Sequence, residues 1–255
     1  MTETHPPETA ILEGHIAIRA ALEAGSRPIE RILIDRTRRD RKGELARTAQ
    51  LAEAAGVPVA RVTPDEVDAQ ASGKTHGGII AHCGPRHFVP LEALLPADHA
   101  PFVVMLDGVE DPFNFGQAIR AVYAAGADGL VMRPRNWMSA AGIVARASAG
   151  ASERIPTAVA DTAEAAAGFF RQRGLIIATT ARKRTTPLYN ADLTAPLFLL
   201  IGGEKRGITR SFLDAADLVI AIPYGRRFGE SLGTTAAAAV LAFEVMRQRQ
   251  ASHST

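Results

Sequence analysis

Five apolar runs constrain this chain more than any other feature: Phe102–Leu106 (FVVML), Gly129–Met132 (GLVM), Gly174–Thr180 (GLIIATT), Pro196–Gly203 (PLFLLIGG) and Asp217–Pro223 (DLVIAIP). They are continuous rather than alternating, as expected of strands buried on both faces. Helical patterns separate them: GQAIRAVYAAG, SAAGIVARASAG, TAEAAAGFFRQRG and a closing TAAAAVLAFEVMRQRQ. Strands that alternate with helices predict an α/β fold with a mainly parallel sheet. In such sheets ligands bind outside the carboxyl ends of the strands, so the loops after each run are where chemistry is to be sought.

A smaller α/β unit precedes this array. From Ile11 to Cys83 the pattern reads as an amphipathic helix (ILEGHIAIRAALEAG), an extended ERILID, a helical GELARTAQLAEAAG, and extended VPVARV and GGIIAHC. Pro85, Pro90, Pro96 and Pro101 then punctuate a stretch without periodicity, which suits a connector. The predicted organisation is a flexible 1–10, a small domain over 11–83, a connector over 84–100, a larger domain over 101–250 and a tail over 251–255. A length of 255 residues is ample for two cores.

Formal net charge is only +2, yet 25 of the 29 basic residues are arginine, whose planar fork pairs with phosphate. Arg31, Arg36, Arg38, Arg39, Arg41 and Lys42 outnumber Asp35 and Asp40 between the first extended run and the second helix. That loop reads either as a solvated turn or as a phosphate-facing patch. The single cysteine, Cys83, excludes an intrachain disulfide. The chain opens without a signal sequence and has no apolar run long enough to span a bilayer, so a cytoplasmic protein is expected.

Several common sites lack their signatures. No G-x-G-x-x-G follows a strand, and GGEKRGIT has Ile208 where a P-loop needs lysine. His15, His76, His82, His87 and His99 show no metal-ligand spacing, so no metal is expected. No G-x-S-x-G elbow presents a serine nucleophile.

Three strand-end loops remain. In LDGVEDPFNFGQAIRAVYAAG a helix is predicted to begin near Asn114 or Phe115, and Arg120 falls in an apolar segment, where an arginine calls for an anionic partner. In FLLIGGEKRGIT a buried strand meets Gly202 and Gly203, which let a ligand approach the backbone, and then Glu204. In VIAIPYGRRFGESLGTTAAAA a strand ends at Ile222-Pro223 and a Ser-Leu-Gly-Thr-Thr turn opens the last helix.

In this order the three loops resemble the motifs of the SpoU (TrmH-like) family of S-adenosylmethionine-dependent RNA 2′-O-ribose methyltransferases, over residues 102–248. ASAGASERIPT is similar to a segment frequent in the ribosomal-RNA branch, and the unit ending in HGGIIAHC resembles the small RNA-binding domain that many members carry. The resemblance implies a parallel α/β sheet whose carboxyl-terminal segment forms a trefoil knot, and a homodimer. It implies an S-adenosylmethionine pocket lined by Thr179, Gly202, Ile222 and Leu232. It also places Asn114, Arg120, Glu204 and Ser231 at the family's polar active-site positions. Arginine is a weak base, so Arg120 is expected to grip the phosphate beside the target ribose while Asn114 holds the loop or ribose. One departure stands out: the family commonly has Ser-Leu-Asn where this chain has Ser231-Leu232-Gly233. The implied substrate is ribosomal RNA, with transfer RNA second. A non-catalytic RNA-binding homologue, favoured by Gly233, and a small-molecule nucleotide enzyme are the competing readings.

Overall fold

A computed structural model describes residues 10–40, 42–73, 75–134, 140–182, 185–203 and 207–252. The chain forms two compact units, one of Met1–His87 with Asn136–Arg154, the other of Phe88–Arg135 with Ile155–Thr255. Elements are numbered by their position in the chain.

The first unit contains strands β1 (Ala10–Glu13), β2 (Ile29–Asp35), β3 (Val59–Val62) and β4 (Ile79–Cys83) in the order β1-β4-β2-β3. The β4 strand pairs antiparallel with β1 and β2, while β3 runs parallel to β2. Helices α1 (His15–Ala24), α2 (Glu44–Ala54) and the single-turn α3 (Pro64–Asp68) connect them. Thr63 and Glu66 close a reciprocal capping box on α3. The first predicted helix thus divides: its first residues, Ile11 to Glu13, join Ala10 in an edge strand, and α1 starts after Gly14.

Helices α5 (Ala141–Ala147) and α6 (Ala151–Arg154) complete this unit. Ala141 and Ala145 enter the same apolar cluster as Leu12, Ile18, Ile32 and Ile79. The approach is close enough that a Cβ on Gly142 would collide with the carbonyl of Ile11. Ionic contacts follow the same seam. Glu13, almost fully buried, pairs with Arg146 and accepts from the Ser72 amide at 2.5 Å. Glu153 accepts from Arg27 Nε at 2.9 Å, Arg27 Nη2 at 3.1 Å and Ser26 Oγ at 2.6 Å, with Arg86 at 3.4 Å. Burial alone would raise the Glu153 pKa, but Arg27 and Arg86 more than offset it and hold the carboxyl below its usual range. Residues 136–154, expected within the second domain, therefore group in space with the first.

The second unit is built on seven strands in the order β7-β6-β5-β10-β8-β11-β9: β5 (Phe102–Asp107), β6 (Gly129–Met132), β7 (Thr157–Val159), β8 (Ile176–Thr180), β9 (Thr186–Pro187), β10 (Leu197–Gly202) and β11 (Leu218–Ala221). Every pairing is parallel, which bears out the predicted sheet. Helix α7 (Ala163–Arg171) covers one cluster, in which Phe170 stacks on Phe198 with centroids 5.0 Å apart. Helix α4 (Pro112–Ala124) packs against α9 (Thr234–Ser252), and α8 (Arg210–Ala215) precedes β11. Part of the expected connector belongs to this core: Leu91–Leu94 forms a 3-10 turn, and Leu94 is buried with Val103 and Val131. At the far end of α9 the Arg249 guanidinium donates to the carbonyls of Ala100, Pro101, Leu193 and Ala195. No helix among the described residues is long and apolar enough to cross a membrane.

Candidate active site

The carboxyl ends of β8, β10 and β11 open into a cavity of about 700 Å³. Ile201, Ile208, Ile220 and Ile222 give it apolar walls, Gly202 and Gly203 give it bare backbone, and Ser231 to Thr234 close one side. Of the expected cofactor residues, Gly202, Ile222 and Leu232 therefore line one space, together with Ser231.

Thr179 does not line it. It is fully buried within the sheet and its hydroxyl donates to the Leu200 carbonyl at 3.1 Å. Its neighbour Thr180 takes the lining position, because successive strand residues face opposite ways. Glu204 lies outside the described residues.

Asn114 and Arg120 stand on α4 and do not line the cavity. The helix begins at Pro112, before the expected Asn114 or Phe115, because Asp111 caps it: the Asp111 carboxylate accepts from the Asn114 amide at 2.7 Å. The Asn114 carbonyl in turn accepts from Thr235 Oγ1 at 3.2 Å, and the Gly202 carbonyl from Thr234 Oγ1 at 3.3 Å. Two hydroxyls thus join all three strand-end loops. Arg120 is exposed and has no hydrogen bond or ion pair among the described residues. It is a surface arginine, with its guanidinium open to a partner from outside the chain.

Gly233 has a local role: its carbonyl accepts the first α9 bond, from Ala237 N at 3.0 Å. It sits at the N-cap, a position that favours asparagine, and glycine there costs only a few tenths of a kcal/mol by comparison. The helix start is kept while the amide side chain is lost.

The turn after β10 has no room to spare. Gly203 donates to the Asp107 carbonyl at 2.6 Å, and a Cβ on it would run into the carbonyl of Gly108. Both neighbours are backbone, so Gly203→Ala is expected to lower stability by about 1–3 kcal/mol. Urea denaturation of the full chain measures it, and an unchanged midpoint would show that the turn yields freely.

Residues not singled out from sequence are Thr180, Ile201, Ile208, Tyr224 and Phe228. The Tyr224 hydroxyl accepts the Leu232 amide at 2.9 Å. The available signal was two aromatics in a glycine and arginine loop, in a chain with few aromatics.

The arginine-rich loop of the first unit forms a second polar surface. Asp35 accepts from the amide and hydroxyl of Thr37, which hold its carboxyl below the usual range. Asp40 accepts from the Ala46 amide. Both acids are thereby engaged in local structure, while Arg36, Arg38, Arg39 and Lys42 stay exposed. Arg41 lies outside the described residues. No group of three His, Cys, Asp or Glu side chains among the described residues could hold a metal ion.

Two family models match the chain in succession, and the second of them along the chain runs through the 136–154 segment that groups with the first unit. The model of the SpoU rRNA Methylase family matches residues 101–243, and that of RNA 2'-O ribose methyltransferase substrate binding matches residues 11–89. The chain is 30% identical over 244 residues to the 23S rRNA (guanosine-2'-O-)-methyltransferase RlmB of Ralstonia nicotianae, covering 95% of this chain and 97% of that one. It is 31% identical over 243 residues to the protein of that name from Yersinia pestis, with 94% and 97% covered. Among solved structures, the SpoU methyltransferase AviRb from Streptomyces viridochromogenes in complex with the cofactor AdoMet superposes with a TM-score of 0.77, covering 96% of this chain and 92% of that one at 22% identity. That likeness speaks to the fold.

Proposed function

The chain belongs to the SpoU rRNA Methylase family, and from that premise we propose that it transfers a methyl group from S-adenosylmethionine to a ribose 2′-hydroxyl of ribosomal RNA. The observation that carries this reading is the meeting of three loops, through Thr234 and Thr235, around one cavity at the carboxyl ends of parallel strands.

The cavity suits the cofactor. Its isoleucine walls match an adenine ring and a sulfonium methyl, and the Cβ-free turn at Gly202 and Gly203 brings backbone to the ligand. Gly202, Ile222 and Leu232 would hold it, with Thr180 in the place first expected of Thr179. When bound, S-adenosylmethionine supplies an electrophilic methyl group. The chain's own part is to orient the ribose and ease the loss of its hydroxyl proton. Arg120 grips the adjacent phosphate, Asn114 fixes the ribose from the first turn of α4, and Ser231 and Glu204 complete the polar surround.

Ribosomal RNA is favoured over transfer RNA by the names of the relatives aligned over nearly the whole chain. The exposed arginines between β2 and α2 suit a phosphate backbone. The reading includes action in the cytoplasm. It includes a trefoil knot, supported by β10 lying between β5 and β8 while the segment after β11 returns to bond Gly202 and Asn114. It also includes a homodimer, for which exposed Tyr123 on α4 and Phe243 on α9 are suitable contacts. A non-catalytic homologue is the second reading, motivated by Gly233.

Incubation with labelled S-adenosylmethionine and unmodified total RNA, followed by mapping of alkali-resistant linkages, decides between them. Label at a ribose of ribosomal RNA is expected. Cofactor binding without any transfer would favour the non-catalytic reading.

A further inference from the structure

The loop after β11 carries two aromatic residues that the methyl-transfer roles above leave unused. Tyr224 and Phe228 both line the cavity, with ring centroids 6.2 Å apart and planes at 46°. The Tyr224 hydroxyl is occupied by the Leu232 amide, which fixes the ring at its far end. The rings nevertheless remain open to solvent, Tyr224 39% exposed and Phe228 60%. By contrast, the isoleucines at the base of the cavity, Ile201 and Ile220, are 1% exposed. Between the two aromatics in sequence stand Arg226 and Arg227, exposed and without a hydrogen bond or ion pair among the described residues.

A ligand matching this rim has a flat π face for the rings and negative charges for the guanidinium groups. We propose that Tyr224 and Phe228 form a stacking subsite for an unpaired nucleobase of the RNA substrate, with Arg226 and Arg227 meeting its flanking phosphates. The subsite rests on the RNA reading above. An unpaired base exposes both faces, and stacking on an aromatic side chain tolerates any base. The anchored Tyr224 fixes the platform next to Leu232 and Ser231, so a base held there sets its own ribose beside the cavity.

The test uses the full chain and a short single-stranded RNA carrying 2-aminopurine, whose fluorescence is quenched by stacking. Phe228→Ala is expected to weaken RNA binding and raise the KM for RNA by about tenfold. Because Phe228 also lines the cofactor cavity, the Kd for S-adenosylmethionine is measured alongside and should change less than the Kd for RNA. The thermal midpoint should not change, and Phe228→Trp should restore binding and quenching. Replacing Arg226 and Arg227 by alanine should lower the slope of log affinity against log salt by about 0.7 for each arginine that meets a phosphate. The subsite is overturned if Phe228→Ala leaves RNA binding intact, if it weakens the cofactor instead, or if it dissociates the molecule into smaller assemblies. These results are separable from the activity itself: Phe228-dependent quenching by a parent protein that transfers no methyl group would retain the subsite and remove the enzyme reading.

Discussion

Arg120→Ala lowers methyl transfer to ribosomal RNA by about 100- to 1,000-fold, the range for losing one preorganised charged or hydrogen-bonding group at a reacting centre. Cofactor affinity stays at the parent level, because Arg120 does not line the cavity. The expectation rests on an exposed guanidinium with no partner among the described residues, on a helix whose first turn is tied to the third loop by Thr235. Arg120→Lys retains the charge but not the planar fork, so it recovers only part of the loss. Single-turnover transfer and calorimetry with S-adenosylmethionine separate the two quantities. Parent-level turnover in Arg120→Ala would remove the residue from the site.

Glu153→Ala destabilises the first unit by about 3–5 kcal/mol, the cost of removing one partner from a buried ionic cluster. Arg27 and Arg86 would be left facing each other in a dry environment without their carboxylate. The pH dependence has a definite sign. Since folding lowers the Glu153 pKa, the cluster contributes stability above the ordinary carboxylate pKa of 4.5 and loses it as pH falls through the lowered folded value. Denaturant unfolding of parent and variant should therefore differ most near neutrality and converge in acid. A constant difference across that range would assign the effect to lost packing.

Much of the second unit was legible because its strands are buried on both faces, which forces long branched runs that no helix needs. Short elements carried no such signal. Thr157–Val159 and Thr186–Pro187 are too brief to show a period, and Ala-Ile-Leu-Glu at β1 looks equally like the first turn of a helix until its pairing with β4 is seen. The candidate cavity was legible only in part. Gly202, Ile222, Ser231 and Leu232 share one cavity, but the choice between Thr179 and Thr180 depends on which way a strand faces, and a slip of one residue reverses that. The arginine at 120 was visible as an oddity in an apolar helix, whereas its exposure depends on how α4 packs against α9.

The grouping of residues 136–154 with the first unit bears on how the molecule can be taken apart. A fragment beginning at Phe88 would carry α5 and α6 without Leu12, Ile18 and Ile32 beneath Ala141 and Ala145, and Glu153 without Arg27 and Arg86. A fragment ending at His87 would expose the opposite side of the same seam. Cutting the units apart cleanly requires breaks after 87, 135 and 154, so the proline-rich connector marks a boundary in the chain without being a point of severance. Transplanting the amino-terminal unit onto another catalytic core would thus mean grafting two separate pieces of chain, the second of them from inside the donor's own catalytic segment.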